Sequence, residues 1–113
     1  MEKLKRIIES SLDDDKADNI TSIDLAGKSS LADYMIVASG TSHRHLKTLA
    51  EHIAQKLRAI GFGFVTLDGA DSEDWMVVDA GDVIVHLMKP EARLAYNLEK
   101  MWGAHLPTIE AAM

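Results

Sequence analysis

Six carboxylates crowd one short stretch of the chain, at Asp68, Asp71, Glu73, Asp74, Asp79 and Asp82. A hard divalent cation needs oxygen ligands in such number, provided that they converge on one point. The spacing does not follow a calcium loop, with its obligatory glycine and terminal Glu, and a solvated or partner-facing acidic patch suits the run better. Trp75 follows Glu73-Asp74 directly and opens a strand-like segment. A large amphipathic ring beside carboxylates composes an anchor for a basic partner: the ring contributes by desolvated burial, and the acids select charge and speed encounter. An ordinary half-buried strand tryptophan satisfies the same residues.

Histidine is the other residue type able to supply a base or a ligand, and the chain has His43, His45, His52, His86 and His105. His45 and His52 are seven residues apart within one helical pattern, about 10 Å along an axis, too far for two ligands at metal-bond distance. His86 alternates with Ile84 and Met88, which favours a packed strand position over catalysis. Gly40-Thr-Ser-His-Arg44 follows one strand pattern and opens a helix, so its amides with His43 and Arg44 suit a phosphate or carboxylate. The stretch lacks the spacing of known phosphate loops, and Ser or Thr before a helix is first of all a cap. Arg44 at the positive end of a helix dipole keeps open a contacting anion, such as a partner's carboxylate. No Ser/His/Asp or Cys/His set assembles, and no interleaved basic and aromatic run suggests a platform for single-stranded nucleic acid.

The elements that must position these residues follow from periodicity. Leu4, Ile7, Ile8 and Leu12 recur at helical spacing and predict an amphipathic helix over residues 2 to 12. Asp13-Asp-Asp15 belongs in a solvated loop, since carboxylates oppose the negative end of a helix dipole. Ile20 to Leu25 and Tyr34 to Ser39 read as neighbouring strands around the turn cluster Gly27-Lys-Ser-Ser30, the second apolar on both sides and hence central. Leu46, Leu49, Ala50, Ile53, Leu57 and Ile60 form a sustained helical stripe that starts after a Thr41 or Ser42 cap and stops at Gly61. Phe64 to Leu67, Trp75 to Val78 and Val83 to Met88 read as three more strands, the last two joined by a tight hairpin at Asp79-Ala-Gly-Asp82. Pro90 opens a final helix with the packing stripe Leu94, Leu98, Met101 and Trp102. The order is α-β-β-α-β-β-β-α, an α/β (α+β) domain with a mixed five-stranded sheet packed with helices.

At 113 residues, 47% apolar and 27% charged, the chain has the size and composition of one folded domain and is too apolar for intrinsic disorder. Twelve basic against eighteen acidic residues leave a net charge of −6, which opposes loose attraction to nucleic-acid phosphates and anionic lipid. A basic protein partner fits; DNA and a small-molecule substrate have no support. The longest apolar run, Tyr34 to Ala38, is far short of the roughly 20 residues that cross a bilayer. The first residues lack the apolar core and cleavage site of a secretory signal, and zero cysteines exclude disulfides and thiolate metal sites, so a cytoplasmic location is the default expectation.

Taken in order, Gly27-Lys-Ser-Ser30, Asp33-Tyr-Met-Ile36, Gly40-Thr-Ser42, Arg44-His45, Asp68-Gly69, Trp75, Val78-Asp79, Gly81-Asp-Val-Ile-Val-His86, Arg93, Tyr96, Leu98-Glu99 and Trp102 closely resemble the Iojap family, the ribosomal silencing factors. The resemblance covers about residues 2 to 103 and implies a single family domain over 1–103 with a short tail over 104–113. One departure is Asp68, where the family commonly has Glu. The implied fold is a nucleotidyltransferase-like sheet domain, usually homodimeric and without transferase activity. The parent superfamily follows its glycine pair with two metal-binding carboxylates about a helix later, whereas here Gly40-Thr41 leads into Glu51-His52-Ile53. Without convergent acids to hold a metal, phosphoryl transfer loses its principal charge stabilisation.

The resemblance further implies binding to the large ribosomal subunit through ribosomal protein L-fourteen, where the small subunit docks, so that occupancy blocks joining and represses translation. Trp75 is then the expected apolar anchor, extended by Met76, with Asp68, Glu73, Asp74 and Asp79 pairing Lys or Arg of the partner. No cofactor is expected. A nucleotidyltransferase-like enzyme, or an RNA- or nucleotide-binding module, stands as the alternative.

Overall fold

A computed structural model describes residues 2–25, 32–63, 65–69 and 72–96. Three helices and five strands follow one another as α1 (Glu2–Asp14), β1 (Asp18–Asp24), β2 (Tyr34–Ser39), α2 (His43–Ala59), β3 (Thr66–Asp68), β4 (Trp75–Asp79), β5 (Val83–Met88) and α3 (Pro90–Tyr96). The strands form one mixed sheet in the order β1-β2-β5-β4-β3. β2 and β5 run parallel at its centre, while β1/β2, β4/β5 and β3/β4 are antiparallel. The expected mixed five-stranded α/β architecture is thus the observed one.

The two sheet faces are packed differently because strand residues alternate. Ile36 and Ala38 of β2, Val83, Val85 and Leu87 of β5, and Met76 and Val78 of β4 point to the side covered by α1 and α2. Leu4, Ile8 and Leu12 of α1 meet Leu46, Leu49, Ile53 and Leu57 of α2 there, all buried. On the other side Ile23, Leu25, Met35, Val37 and Met88 form a smaller cluster with Ala92 of α3, and half-buried Trp75 packs against it. Among the described residues no helix is long and apolar enough to cross a membrane.

Local chemistry explains most boundaries. Ser42 caps α2, its hydroxyl accepting from His45 N–H at 3.1 Å, and Gly61 follows the helix at φ +86°, a conformation that costs a residue without Cβ little. The hairpin between β4 and β5 has Gly81 at φ +76°, and Asp79 Oδ1 accepts from Gly81 N–H at 2.9 Å.

Three expectations need correction. α1 does not stop before Asp13 but runs through Asp14, and Asp15 is no merely solvated residue. Lys56 of α2 lies 3.7 Å from Asp14, offsetting the unfavourable dipole, while Asp15 Oδ2 is 2.7 Å from His52 Nδ1 and its carbonyl 2.9 Å from His45 Nε2. Thr41 N–H donates to His45 Nδ1 at 3.0 Å, so His45 carries its proton on Nε2 and ties the end of α1 to the start of α2. In α3, Leu94 is 82% exposed and not part of a packing stripe. Ala92 and Arg93 face the sheet instead, with Arg93 donating to Ser39 Oγ at 2.9 Å and Thr21 Oγ1 at 3.0 Å. Leu98, Met101 and Trp102, the Gly27–Ser30 turn and the 104–113 tail lie outside the described residues. The third correction concerns Met76 and belongs with the site.

Candidate functional site

The antiparallel register of β3, β4 and β5 decides which of the acidic-segment residues meet. Asp68 pairs with Val77, and Val77 in turn with His86; Asp79 pairs with Thr66 and with Ile84. Trp75, Val77 and Asp79 therefore share one face with Asp68, Ile84 and His86, the face that α1 and α2 do not cover. Glu73 and Asp74 stand in the turn at its edge, both exposed. Met76 points the other way, is 1% exposed and belongs to the main core, so it cannot extend a surface contact as expected. A one-residue step along a strand reverses the face, and Met76 is one step from Trp75.

Tight local bonding sets the position of Trp75. Ser72 Oγ accepts from the N–H groups of Asp74 and Trp75 at 3.3 and 3.2 Å, and Ser72 N–H donates to Gly69 O at 2.9 Å. Gly69 has φ +87°, and a Cβ there would stand 2.6 Å from the Trp75 carbonyl oxygen. Only glycine permits that approach of two backbones. At the far side of the strand pair, Lys89 N–H donates to Asp74 O at 3.0 Å, and the Lys89 ammonium is 3.7 Å from the Asp74 carboxylate.

The carboxylates are therefore not equivalent. Asp68 accepts from Gly69 N–H at 2.8 Å, Asp79 holds the hairpin turn, and Asp74 has Lys89 beside it. Glu73 has no partner among the described residues. No group of three or more His, Cys, Asp or Glu able to hold a metal occurs among the described residues. Asp71 lies outside them.

His86 is where sequence reasoning stopped short. It occupies a half-buried strand position, and Trp75 Nε1–H donates to its Nδ1 at 2.9 Å. The ring centroids are 5.6 Å apart with planes inclined at 51°. Burial lowers the imidazole pKa from 6.5 to about 4, since desolvation penalises the charged form. The signal for this contact is the hairpin register counted from Gly81, which makes Trp75 and His86 diagonal neighbours. Lys89 and Ser72, which hold the turn before Trp75, carried no such signal.

At the Gly40–Arg44 helix start, the amides of Thr41 and His45 are taken by the His45 ring and the Ser42 hydroxyl. That is cap chemistry, as the Ser/Thr pattern suggested.

A small mixed α/β domain, closed by helices on one sheet face and offering an acidic, tryptophan-bearing surface on the other, is the class that these features define. The family model described as ribosomal silencing factor during starvation matches residues 1–112, and the chain belongs to this RsfS family. It is 48% identical over 103 residues to the ribosomal silencing factor RsfS of Zymomonas mobilis, covering 90% of this chain and 77% of that one. A crystal structure of a Chromobacterium violaceum protein superposes with a TM-score of 0.86 at 37% identity, covering 90% of this chain and 85% of that one. A mouse protein named mitochondrial assembly of ribosomal large subunit protein 1 is 40% identical over 73 residues, 62% of this chain and 32% of its own length.

Proposed function

We propose that this chain represses translation by binding the large ribosomal subunit through ribosomal protein L-fourteen and sterically denying the small subunit its joining surface. The action is occupancy, not catalysis, and takes place in the cytoplasm. Trp75 is the anchor, with Asp68, Glu73, Asp74 and Asp79 as the acidic surround. Off the ribosome the chain pairs as a homodimer. The observation that carries the reading is the half-buried Trp75 on an acidic sheet face of a domain whose family is named for ribosome silencing. The mouse relative's name also concerns the large ribosomal subunit.

Physical scale agrees with this role. A specific interface needs about 800 Å² per partner, which one sheet face of a small domain can provide. Ribosomal proteins are basic because they neutralise RNA, so an acidic domain of charge −6 meets complementary potential. Glu73, with no partner among the described residues, is the carboxylate most available to a partner's Lys or Arg.

The test is a sucrose gradient of isolated ribosomal subunits with and without saturating protein. Co-sedimentation with large subunits and loss of joined ribosomes is the expected result; unimpaired joining at saturation rejects the proposal. Trp75→Ala should weaken large-subunit binding by about 2 kcal/mol, roughly thirtyfold, while the domain remains folded.

A further inference from the structure

The sheet face that carries Trp75 is built mainly from residues suited to a strand: Met35, Val37, Val77, Ile84 and Met88. His86 stands among them although an aliphatic residue would pack there without the cost of removing an imidazole from water. Burial also penalises its charged form, so the ring stays neutral down to about pH 4. Among the described residues the hydrogen bond it makes is the one from Trp75 Nε1–H to Nδ1, at 2.9 Å. The two side chains reach each other diagonally across the ladder, since Trp75 pairs with Met88 and His86 with Val77. A neutral imidazole accepting at Nδ1 must carry its proton on Nε2, so one tautomer serves the bond.

An indole at a sheet margin can rotate about two side-chain bonds, and a partner that receives it must first fix it. A bond from Nε1–H to a ring that is itself confined between strands removes that freedom before the partner arrives. The backbone at Trp75 is already fixed by Ser72 and by the close approach of Gly69. The side chain is fixed by His86.

We propose that His86 is the positioning residue of the docking face, locking the Trp75 indole through its Nε1–H in the orientation that the ribosomal partner receives. This rests on the reading of Trp75 as the anchor. His86 need not touch the partner; its effect passes through the tryptophan.

The experiment measures large-subunit affinity for the full chain and its His86→Leu, His86→Asn and Trp75→Ala variants. In parallel, the indole ¹H–¹⁵N resonance of Trp75 is followed by NMR and distinguished from that of Trp102 with a Trp102→Phe variant. His86→Leu keeps bulk but offers no acceptor, and should weaken binding about fivefold to tenfold and move the indole N–H resonance toward that of a solvated indole. His86→Asn sets an amide oxygen near the Nδ1 position and should restore affinity to within about twofold. If His86→Leu does not fold, His86→Val, also without an acceptor and well suited to a strand, takes its place and should give the same loss. Wild-type affinity in the leucine or valine variant, while Trp75→Ala binds weakly, overturns the positioning role and leaves the anchor reading intact. Equal weakening by leucine and asparagine with an unmoved indole resonance also overturns it. Unchanged affinity in a folded Trp75→Ala variant removes the anchor reading itself, and the positioning role with it.

Discussion

One face of the sheet is closed and the other is only partly covered, and the two are built from different materials. Beneath α1 and α2 the strands contribute Ile36, Ala38, Val78, Val85 and Leu87, every one fully buried against Leu46, Leu49 and Leu57. On the reverse face the same strands contribute buried Met35, Val37 and Met88 beside α3, and then Trp75, Val77, Ile84 and His86, all half-buried, with Asp68 and Asp79 exposed beside them. Alternate residues of β4 thus serve two tasks: Met76 and Val78 hold the domain together, and Trp75, Val77 and Asp79 form its outward surface. The two alternating sets of side chains have different neighbours, so a change in one set leaves the contacts of the other largely in place.

The comparison breaks if the closed face tolerates truncation. Leu49→Ala removes a side chain with no exposure from between α2, α1 and the sheet and should cost about 2–5 kcal/mol, read as a lowered urea midpoint with unchanged slope. Acid should distinguish the faces next. His86 binds its proton at about pH 4 when folded and near 6.5 when unfolded, so the unfolded chain takes up more protons between those values. Stability does not depend on this group above pH 6.5, falls as the pH drops toward 4, and levels off below that. The full loss is at most about 3 kcal/mol, and it should be smaller in His86→Asn when urea midpoints at pH 7 and pH 4.5 are compared.

Much of this division is legible in the amino-acid sequence. Helical spacing from Leu46 and the doubly apolar run of 34 to 38 mark the closed face and its central strand, although Ile60, the last residue of that stripe, lies at the helix C-cap and is 53% exposed. Met76 follows Trp75 along the chain and for that reason points away from it, since a strand sends neighbours to opposite faces. Asp13 and Asp14 stand inside the helix against a dipole preference of only a few tenths of a kcal/mol, which one approaching lysine, Lys56, offsets. Leu94 looked like packing, but α3 turns Arg93 inward to Ser39 and Thr21, a long-range choice with no local signature. The bonds that aim Trp75 come from Ser72, Gly69 and His86, and they follow from register, which composition does not reveal.

Two glycines with the same backbone sign sharpen the contrast. Gly69 and Gly61 have φ +87° and +86°, but a Cβ at Gly69 meets the Trp75 carbonyl at 2.6 Å, while at Gly61 nothing lies within 4 Å. Gly61→Ala should cost the left-handed strain alone, about 1 kcal/mol, with large-subunit affinity unchanged. Gly69→Ala adds a backbone displacement, for a loss of about 2 kcal/mol, and should also weaken binding by moving the turn that delivers Trp75. Equal affinities for the two folded variants would mean that the Trp75 turn does not set the docking geometry.

The smallest effect is the most specific to the division between faces. Glu73 stands exposed at the edge of the Trp75 face, and Glu51 stands exposed on α2, on the opposite side of the sheet. Replacing either by lysine changes the net charge from −6 by two units to −4, so overall charge is the same in the two variants. Neither residue has a partner among the described residues, and neither change should alter stability by more than about 0.5 kcal/mol. If a basic ribosomal surface is met by the Trp75 face, Glu73→Lys should slow association with large subunits by a few-fold at low salt, and Glu51→Lys should not. Raising the salt to physiological strength, where charges more than about 8 Å apart are screened, should shrink the difference. Equal slowing would show that total charge governs encounter; slowing by Glu51→Lys alone would place the docking face on the helical side, and Trp75 would lose its role as anchor.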